Sequence, residues 1–160
     1  MGRPRSKTLK PGMPESRVLM GSLQACRFWC IDVKRQNTGG MMNDKGRYVA
    51  FGVKGDSDIA GTTEAVWGPL RGRTVHIECK REGWKPPRPP KSGKVAGPAR
   101  LRWEAQVARL RKTNANGGYG FWSDDPEYTF RVLELLRRGC TIEIGDDDHC
   151  VVVMPNGAST

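Results

Sequence analysis

A seven-residue segment, 74–80 with the sequence TVHIECK, restricts the fold of this chain more than any other part of it. Side chains alternate between the two faces of a β-strand, so its three apolar residues share one face and predict contact with a core. The opposite face carries His76, Glu78 and Lys80. An acid and a base on a core strand are costly unless they pair or bind a ligand. We therefore expect a central strand with a functional face; the alternative is a solvated face with a simple Glu–Lys pair.

The neighbouring segments predict a mixed α/β domain with one central mixed β-sheet flanked by helices. Apolar residues at helical spacing, and an Asp–Pro start for the last helix, predict helices over 14–31, 99–113 and 125–139. Turn-forming residues between extended stretches predict hairpins over 39–53 and 141–154 and short strands at 65–67 and 119–122.

The length of 160 residues fits one compact domain. We expect a flexible basic N-terminal arm at 1–13, a folded domain at 14–154 and a short C-terminal tail at 155–160. Within the domain, 82–98 contains five prolines and three glycines. This composition predicts a long loop, and a loop of this length inside a compact domain is usually functional or disordered.

The formal net charge of +10 comes from two segments. Residues 1–10 contain four basic residues and no acid, and residues 81–112 contain ten basic residues and two acids. Such segmental charge attracts a polyanion, because each neutralised phosphate releases condensed counterions. The charge favours nucleic acid as the partner; an acidic protein or a membrane surface is the alternative.

The five cysteines are an odd number without a CxxC spacing, so we expect neither disulfides nor a zinc framework. Cys26 and Cys30 are four residues apart, and we expect them to pack on one face of the first helix. No apolar run reaches the roughly 18 residues of a membrane helix, and we expect no signal peptide. The expected location is the cytoplasm, of a bacterium or of a phage-infected host cell, with no membrane partner.

The face formed by Glu78 and Lys80 is joined by a carboxylate from upstream, because Asp58 lies in a glycine-flanked bend just before the sheet. Cleavage of a phosphodiester needs an activated water and relief of charge at the phosphate, and Mg²⁺ or Mn²⁺ supplies both. These hard cations prefer oxygen ligands, which Asp58, Glu78 and the carbonyl of Cys79 can provide. Lys80 then lies where it can orient the attacking water or offset developing charge. The set predicts a metal-dependent nuclease site.

Two other polar residues are expected at this site. Glu15, in the first turn of the first helix, can add an outer or second-metal contact, and Gln106 lies on the polar stripe of the helix after the basic loop. Asp56 has the strand parity of Asp58 and remains an alternative to it. His76 faces the acids, and we interpret it as a hydrogen-bonded neighbour rather than a metal ligand.

Two further features allow a functional and a structural interpretation. The acidic run 146–148 is interpreted as an exposed hairpin turn rather than a metal-binding patch. Trp84, in the basic loop, is either a packing anchor for the loop or a residue that stacks on an opened base.

Together these residues resemble the active site of the PD-(D/E)XK nuclease superfamily, in which an Asp and an (Asp/Glu)-x-Lys strand line a metal site. The chain is most similar to the stand-alone virus-type replication-repair nuclease domains (VRR-NUC). The matching segments, in chain order over residues 14–138, are Glu15, Asn37-Thr38-Gly39, the bend 55–61, Glu78-Cys79-Lys80, Gln106 and Gly117-Gly118. The resemblance implies a restriction-endonuclease-like single domain, with catalytic roles for Glu15, Asp58, Glu78, Lys80 and Gln106.

The resemblance also implies a homodimer that acts on branched DNA, in the manner of a Holliday junction resolvase whose two sites cut two strands. The basic loop and the polar stripe of the next helix would then bind phosphates, which fixes position rather than sequence. The residues expected to bind DNA are Arg81, Lys85, Arg88, Lys91, Lys94, Arg102 and Arg109.

Two alternatives stay open. A non-specific or nicking endonuclease of the same fold would share the site and differ only in substrate. A non-catalytic DNA-binding protein would use the basic segments and keep the acids for structure, so it would retain its function without Asp58. An RNA-binding module is disfavoured because the sequence lacks an aromatic-rich sheet motif of the RNA-recognition kind.

Overall fold

The computed structural model describes residues 12–36, 39–42, 44–51, 56–92 and 94–155. The helices are α1 (Glu15–Phe28), α2 (Pro98–Ala115) and α3 (Pro126–Arg137), with a 3-10 helix at Ala65–Leu70. The strands are β1 (Ile31–Arg35), β2 (Gly39–Met42), β3 (Tyr48–Phe51), β4 (Ile59–Thr63), β5 (Thr74–Cys79), β6 (Tyr119–Ser123), β7 (Thr141–Ile144) and β8 (Cys150–Val153). Nearly all of the expected arm and tail, and the stretch Asn37-Thr38, lie outside the described residues.

A four-stranded mixed sheet in the order β1-β4-β5-β6 forms the centre of the protein. β4 is antiparallel to both of its neighbours, whereas β5 and β6 are parallel and are connected through α2. β2 pairs with β3, and β7 with β8, in two-stranded antiparallel sheets. The expected mixed α/β architecture and both expected hairpins are therefore confirmed, whereas the restriction-endonuclease-like assignment stays a prediction.

One face of the central sheet packs against α1 and α3. Val75, Ile77 and Cys79 of β5 are fully buried on this face, where they join apolar residues of both helices in the larger core. Asp125 begins α3 as predicted, because its side chain accepts a hydrogen bond from the Glu127 amide and Pro126 occupies the first helical position. The predicted alternation of β5 is thus confirmed on its apolar face.

The opposite face of the sheet packs against α2 and the β7–β8 hairpin. Trp103, Val107 and Leu110 form a smaller buried core there with Ile144. Gly120 of β6 makes the close approach of α2 possible, because a Cβ at this position would collide with the backbone of Leu110. Glu78 and its polar neighbours on β5 consequently lie between the sheet and a helix, and not at an open surface.

The first helix is shorter than predicted. α1 ends at Phe28, and Cys30 has a φ of 52°, which turns the chain before Ile31 begins β1. Cys26 is buried on α1 as expected, but the prediction that Cys30 shares its helix face is wrong. All five cysteines are free thiols.

Two short segments before β5 also differ from the prediction. Residues 59–61 belong to β4 rather than to a bend, because they pair with β1 on one side and β5 on the other. Residues 65–67 begin a 3-10 helix rather than a strand, and Trp67 is buried there with its indole N–H donating to the Trp29 carbonyl. The predicted loop 82–98 ends one residue early, since Pro98 is the first residue of α2.

The acidic turn 146–148 is not wholly exposed, contrary to expectation. Asp148 is only 4% exposed. Its carboxylate accepts hydrogen bonds from the Arg100 guanidinium at 2.7 Å and from the Trp103 indole at 3.0 Å. Asp148 therefore ties the β7–β8 hairpin to the first turns of α2. None of the helices in the described part of the chain is both long and apolar enough to cross a membrane.

Candidate active site

Glu78 lies at the centre of the polar face of β5 and is only 2% exposed. Its Oε1 accepts a hydrogen bond from Lys80 Nζ at 2.6 Å and another from the Gln106 side-chain amide. Its Oε2 is buried and has no hydrogen-bond partner among the described residues. Because buried polar atoms are nearly always hydrogen-bonded, this oxygen is an exception, and a bound water or ion is one explanation for it.

Asp58 lies beside Glu78, at the entry to β4. Its Oδ2 accepts a hydrogen bond from the Cys79 amide at 2.8 Å, which places the carboxylate directly against the end of β5. Burial raises the pKa of Asp58, an effect opposed by the Cys79 amide and by the positive charges of Lys80 and Arg35. The two carboxylates that the sequence predicted at one site are thus brought together.

Lys80 is held from several sides. Besides Glu78, its Nζ donates to Gln106 Oε1 at 3.2 Å. It also lies over the rings of Trp84 and Trp103, 5.3 and 5.6 Å from their centroids, which is cation–π distance. The ammonium group is therefore fixed in position by two polar groups and two aromatic faces.

The charge state of Glu78 follows from these surroundings. Burial raises the pKa of Glu78 to about 7; the Lys80 charge and hydrogen bond lower it, while the neighbouring charges of Asp58 and Glu15 raise it. A carboxylate with such a pKa is partly protonated near neutral pH. A cation at its free oxygen would instead favour the charged form.

Glu15 lies close to this group without being part of its hydrogen bonds. It is exposed in the first turn of α1, and its charge acts on Glu78. The start of α1 is attached to the chain after β5, because the Met13 amide donates to the Glu82 carboxylate at 2.7 Å and the Glu82 amide donates to the Met13 carbonyl at 3.0 Å. This pairing keeps Glu15 at the Lys80 end of β5.

Asp56 belongs to a different group of side chains from Asp58. Its Oδ1 lies 3.2 Å from Arg109 Nη2, although the pair lacks hydrogen-bond geometry and this buried oxygen has no hydrogen-bond partner in the described residues. His76 Nδ1 lies 2.7 Å from the Thr113 hydroxyl, which itself donates to the Arg109 carbonyl. The geometry therefore puts Asp58, and not Asp56, beside Glu78, and it leaves His76 hydrogen-bonded away from the carboxylates.

The residues expected to bind DNA lie on the chain that follows β5 and on α2. Six of the seven are exposed, and the seventh, Arg109, is half-buried against Asp56. The basic loop that carries most of them is anchored to the body in its first half. Trp84 packs edge-on against Trp103 and Trp122, with centroids 4.7 and 5.4 Å apart, and the Pro87 carbonyl accepts from Arg100. The geometry of Trp84 is that of a packing anchor.

The oxygen ligands at this site fit a cation that keeps most of its water ligands. Within the described ranges, no three or more His, Cys, Asp or Glu residues are grouped so as to hold a metal ion, so Glu15 does not complete a three-carboxylate cage. Mg²⁺ usually keeps several waters and binds one or two carboxylates together with substrate phosphates. Asp58 and Glu78, with one buried oxygen left over, match that smaller requirement.

Some contacts at the site were not foreseen. Trp103 was expected only in the apolar stripe of α2, yet its ring also faces the Lys80 ammonium. Lys112 and Thr113 were not singled out, although both line a pocket on the far side of His76. Their spacing from Arg109, three and four residues along one helix, was the signal that could have identified them.

The comparisons with known proteins add no assignment. No protein-family model matches the chain, and no curated protein or solved structure matches it significantly.

Proposed function

We propose that this protein is an endonuclease that hydrolyses DNA phosphodiester bonds with the help of Mg²⁺ or Mn²⁺. The observation that carries the proposal is the second oxygen of Glu78, which is buried beside Asp58 without a hydrogen-bond partner in the described chain. An oxygen of this kind costs free energy in the folded protein unless something binds it. Two adjacent carboxylates next to a fixed lysine are suited to a hard divalent cation and a phosphate.

Asp58 and Glu78 would hold the cation, and the Cys79 carbonyl remains a candidate ligand beside them. Bound Mg²⁺ or Mn²⁺ would supply a water of lowered pKa and would offset charge on the phosphate. The residues of the chain supply the positioning. Lys80 presents a fixed ammonium group that can orient a water or stabilise charge on a phosphate oxygen.

Gln106 acts through its neighbours in this proposal. Its amide group donates to Glu78 Oε1 and its carbonyl oxygen accepts from Lys80 Nζ, so it orients both side chains at once. Glu15, at the Lys80 end of β5, can contribute an outer contact. Gln106 is therefore a positioning residue, and the Gln106→Ala variant should lose activity and leave Lys80 with one polar partner fewer.

The preference for branched DNA and the homodimer rest on the resemblance to the virus-type replication-repair nucleases. The exposed basic residues of the loop after β5 and of α2 support contact with several phosphates. We propose a four-way junction as the preferred substrate and two copies of the chain as the active unit. Light scattering that finds only monomers, with and without DNA, would remove the dimer.

The test is cleavage of an end-labelled four-way junction beside a linear duplex of matched sequence, with Mg²⁺, Mn²⁺ or EDTA. Asp58→Asn keeps the shape of the side chain and an acceptor for the Cys79 amide, but it removes the charge. It should reduce cutting by at least about 100-fold, since metal assistance is worth several kcal/mol. Asp146→Asn, the same change in an exposed turn, is the control and should cut normally.

Each outcome has a distinct meaning. Metal-dependent cutting of the junction that is lost in Asp58→Asn supports both the nuclease and its preference. Equal cutting of junction and duplex keeps the nuclease and removes the preference. Tight binding without cutting in either metal overturns the catalytic proposal and leaves a DNA-binding protein.

A further inference from the structure

A pocket of about 200 Å³ lies between the beginning of β5 and the end of α2. Its walls include Thr74 and His76 from the strand, Arg109 and Lys112 from the helix, and Asn116 directly after the helix. A pocket of this volume is smaller than the roughly 300–1,000 Å³ typical of sites for drug-sized ligands. It can take a group the size of a phosphate, and not a whole nucleoside.

The polar character of the pocket favours an anion. Arg109 and Lys112 are three residues apart, on one face of α2, and no carboxylate is among the described residues that line the cavity. The Thr74 hydroxyl and the Asn116 side-chain amide add neutral hydrogen-bond donors. Two cations and two neutral donors around one small cavity suit a phosphate group.

The pocket and the carboxylate site lie on the same face of β5. Thr74, His76, Glu78 and Lys80 alternate onto the same face of β5, which α2 covers. His76 and Glu78 are two residues apart, which corresponds to about 7 Å along a strand. A strand with one phosphate at the Glu78 site would have to place the next phosphate about this distance away to reach the pocket.

Asp56 competes with any anion for Arg109. The Asp56 carboxylate lies 3.2 Å from one guanidinium nitrogen of Arg109. A guanidinium carries five N–H donors in a planar fork, so one carboxylate does not exhaust it. Lys112 is exposed and forms no ion pair with any of the described residues. The pocket therefore keeps a net positive charge.

We infer that this pocket is a second phosphate subsite, which binds the phosphodiester group adjacent to the one at Glu78 on the same nucleic-acid strand. The inference rests on the proposed nuclease for the identity of the strand. It assigns Arg109 and Lys112 to one specific phosphate on the His76 side of the site. The basic loop after Lys80 binds the strand on the other side, so the substrate is held on both sides of the bond that is cut.

The experiment measures the salt dependence of DNA binding in EDTA, by fluorescence anisotropy of a labelled duplex, for Arg109→Ala and Lys112→Ala. A phosphate contact contributes about 0.9 to the slope of log K against log salt, so losing the one phosphate of this subsite should lower the slope by up to about 0.9 in either variant, and the double variant should lower it no further. Arg138→Ala is the matched control, because Arg138 also pairs with a carboxylate, that of Glu134, but lies at the end of α3, on the other face of the sheet. Its slope should equal that of the wild type.

Slopes that stay unchanged in Arg109→Ala and Lys112→Ala, with normal melting curves, would overturn the inference. Stabilisation of the wild type by inorganic phosphate that Lys112→Ala loses, combined with unchanged slopes, would also overturn it, since the pocket would then take free phosphate and not a strand. The nuclease is judged separately by the Asp58→Asn assay. Reduced slopes without any metal-dependent cutting would support the subsite and reject the nuclease. Unchanged slopes with metal-dependent cutting would support the nuclease and reject the subsite.

Discussion

The Glu78→Gln variant should be more stable than the wild type at alkaline pH and of nearly equal stability at acidic pH, in the absence of metal. Glutamine has the shape of the protonated glutamic acid, so it keeps an acceptor for Lys80 and Gln106. Burial raises the pKa of Glu78 to about 7 from an ordinary value of 4.5. The folded protein therefore binds this proton more tightly than the unfolded chain does.

The sign and the size follow from linkage between protonation and folding. Stability associated with the proton is fully present below pH 4.5 and is lost progressively as the pH rises towards 7. From pH 5 to pH 8, the unfolded and folded pKa values of Glu78 together lower the free energy of unfolding of the wild type by about 2.5 kcal/mol, because one pKa unit is worth about 1.4 kcal/mol. Since about 1 kcal/mol shifts the melting temperature of a domain of this size by roughly 2–4 °C, the variant should gain roughly 5–10 °C over the wild type across that interval.

The assay is thermal or urea unfolding at several pH values with EDTA present. Glu127→Gln makes the same chemical change at an exposed side chain and serves as the control. A stability difference between Glu78→Gln and the wild type that does not vary from pH 5 to pH 8 would refute the argument. It would mean that Glu78 is solvated or fully compensated by Lys80, and that its second oxygen is not a vacant acceptor.

Three other variants or conditions test other parts of the structure. Gly120→Ala should lower the free energy of unfolding by about 1–3 kcal/mol in a urea titration, because the added methyl group collides with the backbone of α2. Gly97→Ala is the control and should change it little, because a Cβ there meets nothing within 4 Å. Asp148→Ala should lower the free energy of unfolding by about 3–5 kcal/mol, as expected when one partner of a buried ion pair is removed. Asp146→Ala should leave it nearly unchanged in the same titration. Mn²⁺ should raise the melting temperature more at pH 8 than at pH 6, because protons compete with the ion for the carboxylates. Asp58→Asn should abolish that rise. A rise that does not depend on pH or on this substitution would mean that the ion binds elsewhere.

The part of the fold that could be predicted from the sequence is the part with strong local periodicity. β5 alternates strictly between apolar and polar residues, so its two faces were evident without any partner. The grouping of Glu78, Lys80 and Gln106 followed from that alternation and from the polar stripe of the next helix. Asp125 and Pro126 marked the start of α3 because capping is a local interaction.

The parts that were missed depend on contacts between distant residues. β4 contains Gly61, which as a sequence signal favours a bend, but a side chain there would collide with the Asp32 carbonyl of β1. β1 itself is short and directly follows a helical pattern, so only its pairing with β4 identifies it as a strand.

Asp148 illustrates the same limit for charge. Three consecutive aspartates in a turn are usually solvated, and the partner that makes burial of this one possible, Arg100, is 48 residues away in the chain. The burial of Asp148 therefore depends on an ion pair that the composition of the turn does not reveal.

The attachment of α2 has a consequence for how this protein can tolerate insertions and deletions. Arg100 and Trp103 hold the hairpin, Gln106 holds the carboxylate site, and Arg109 lines the pocket, all from one continuous helix. A single inserted residue anywhere between them would rotate the later side chains by about 100° and separate these functions. Among the described residues of the basic loop, the contacts with the rest of the protein lie between Glu82 and Pro87, so we expect a change of length after Pro87 to be tolerated better than one within the helix.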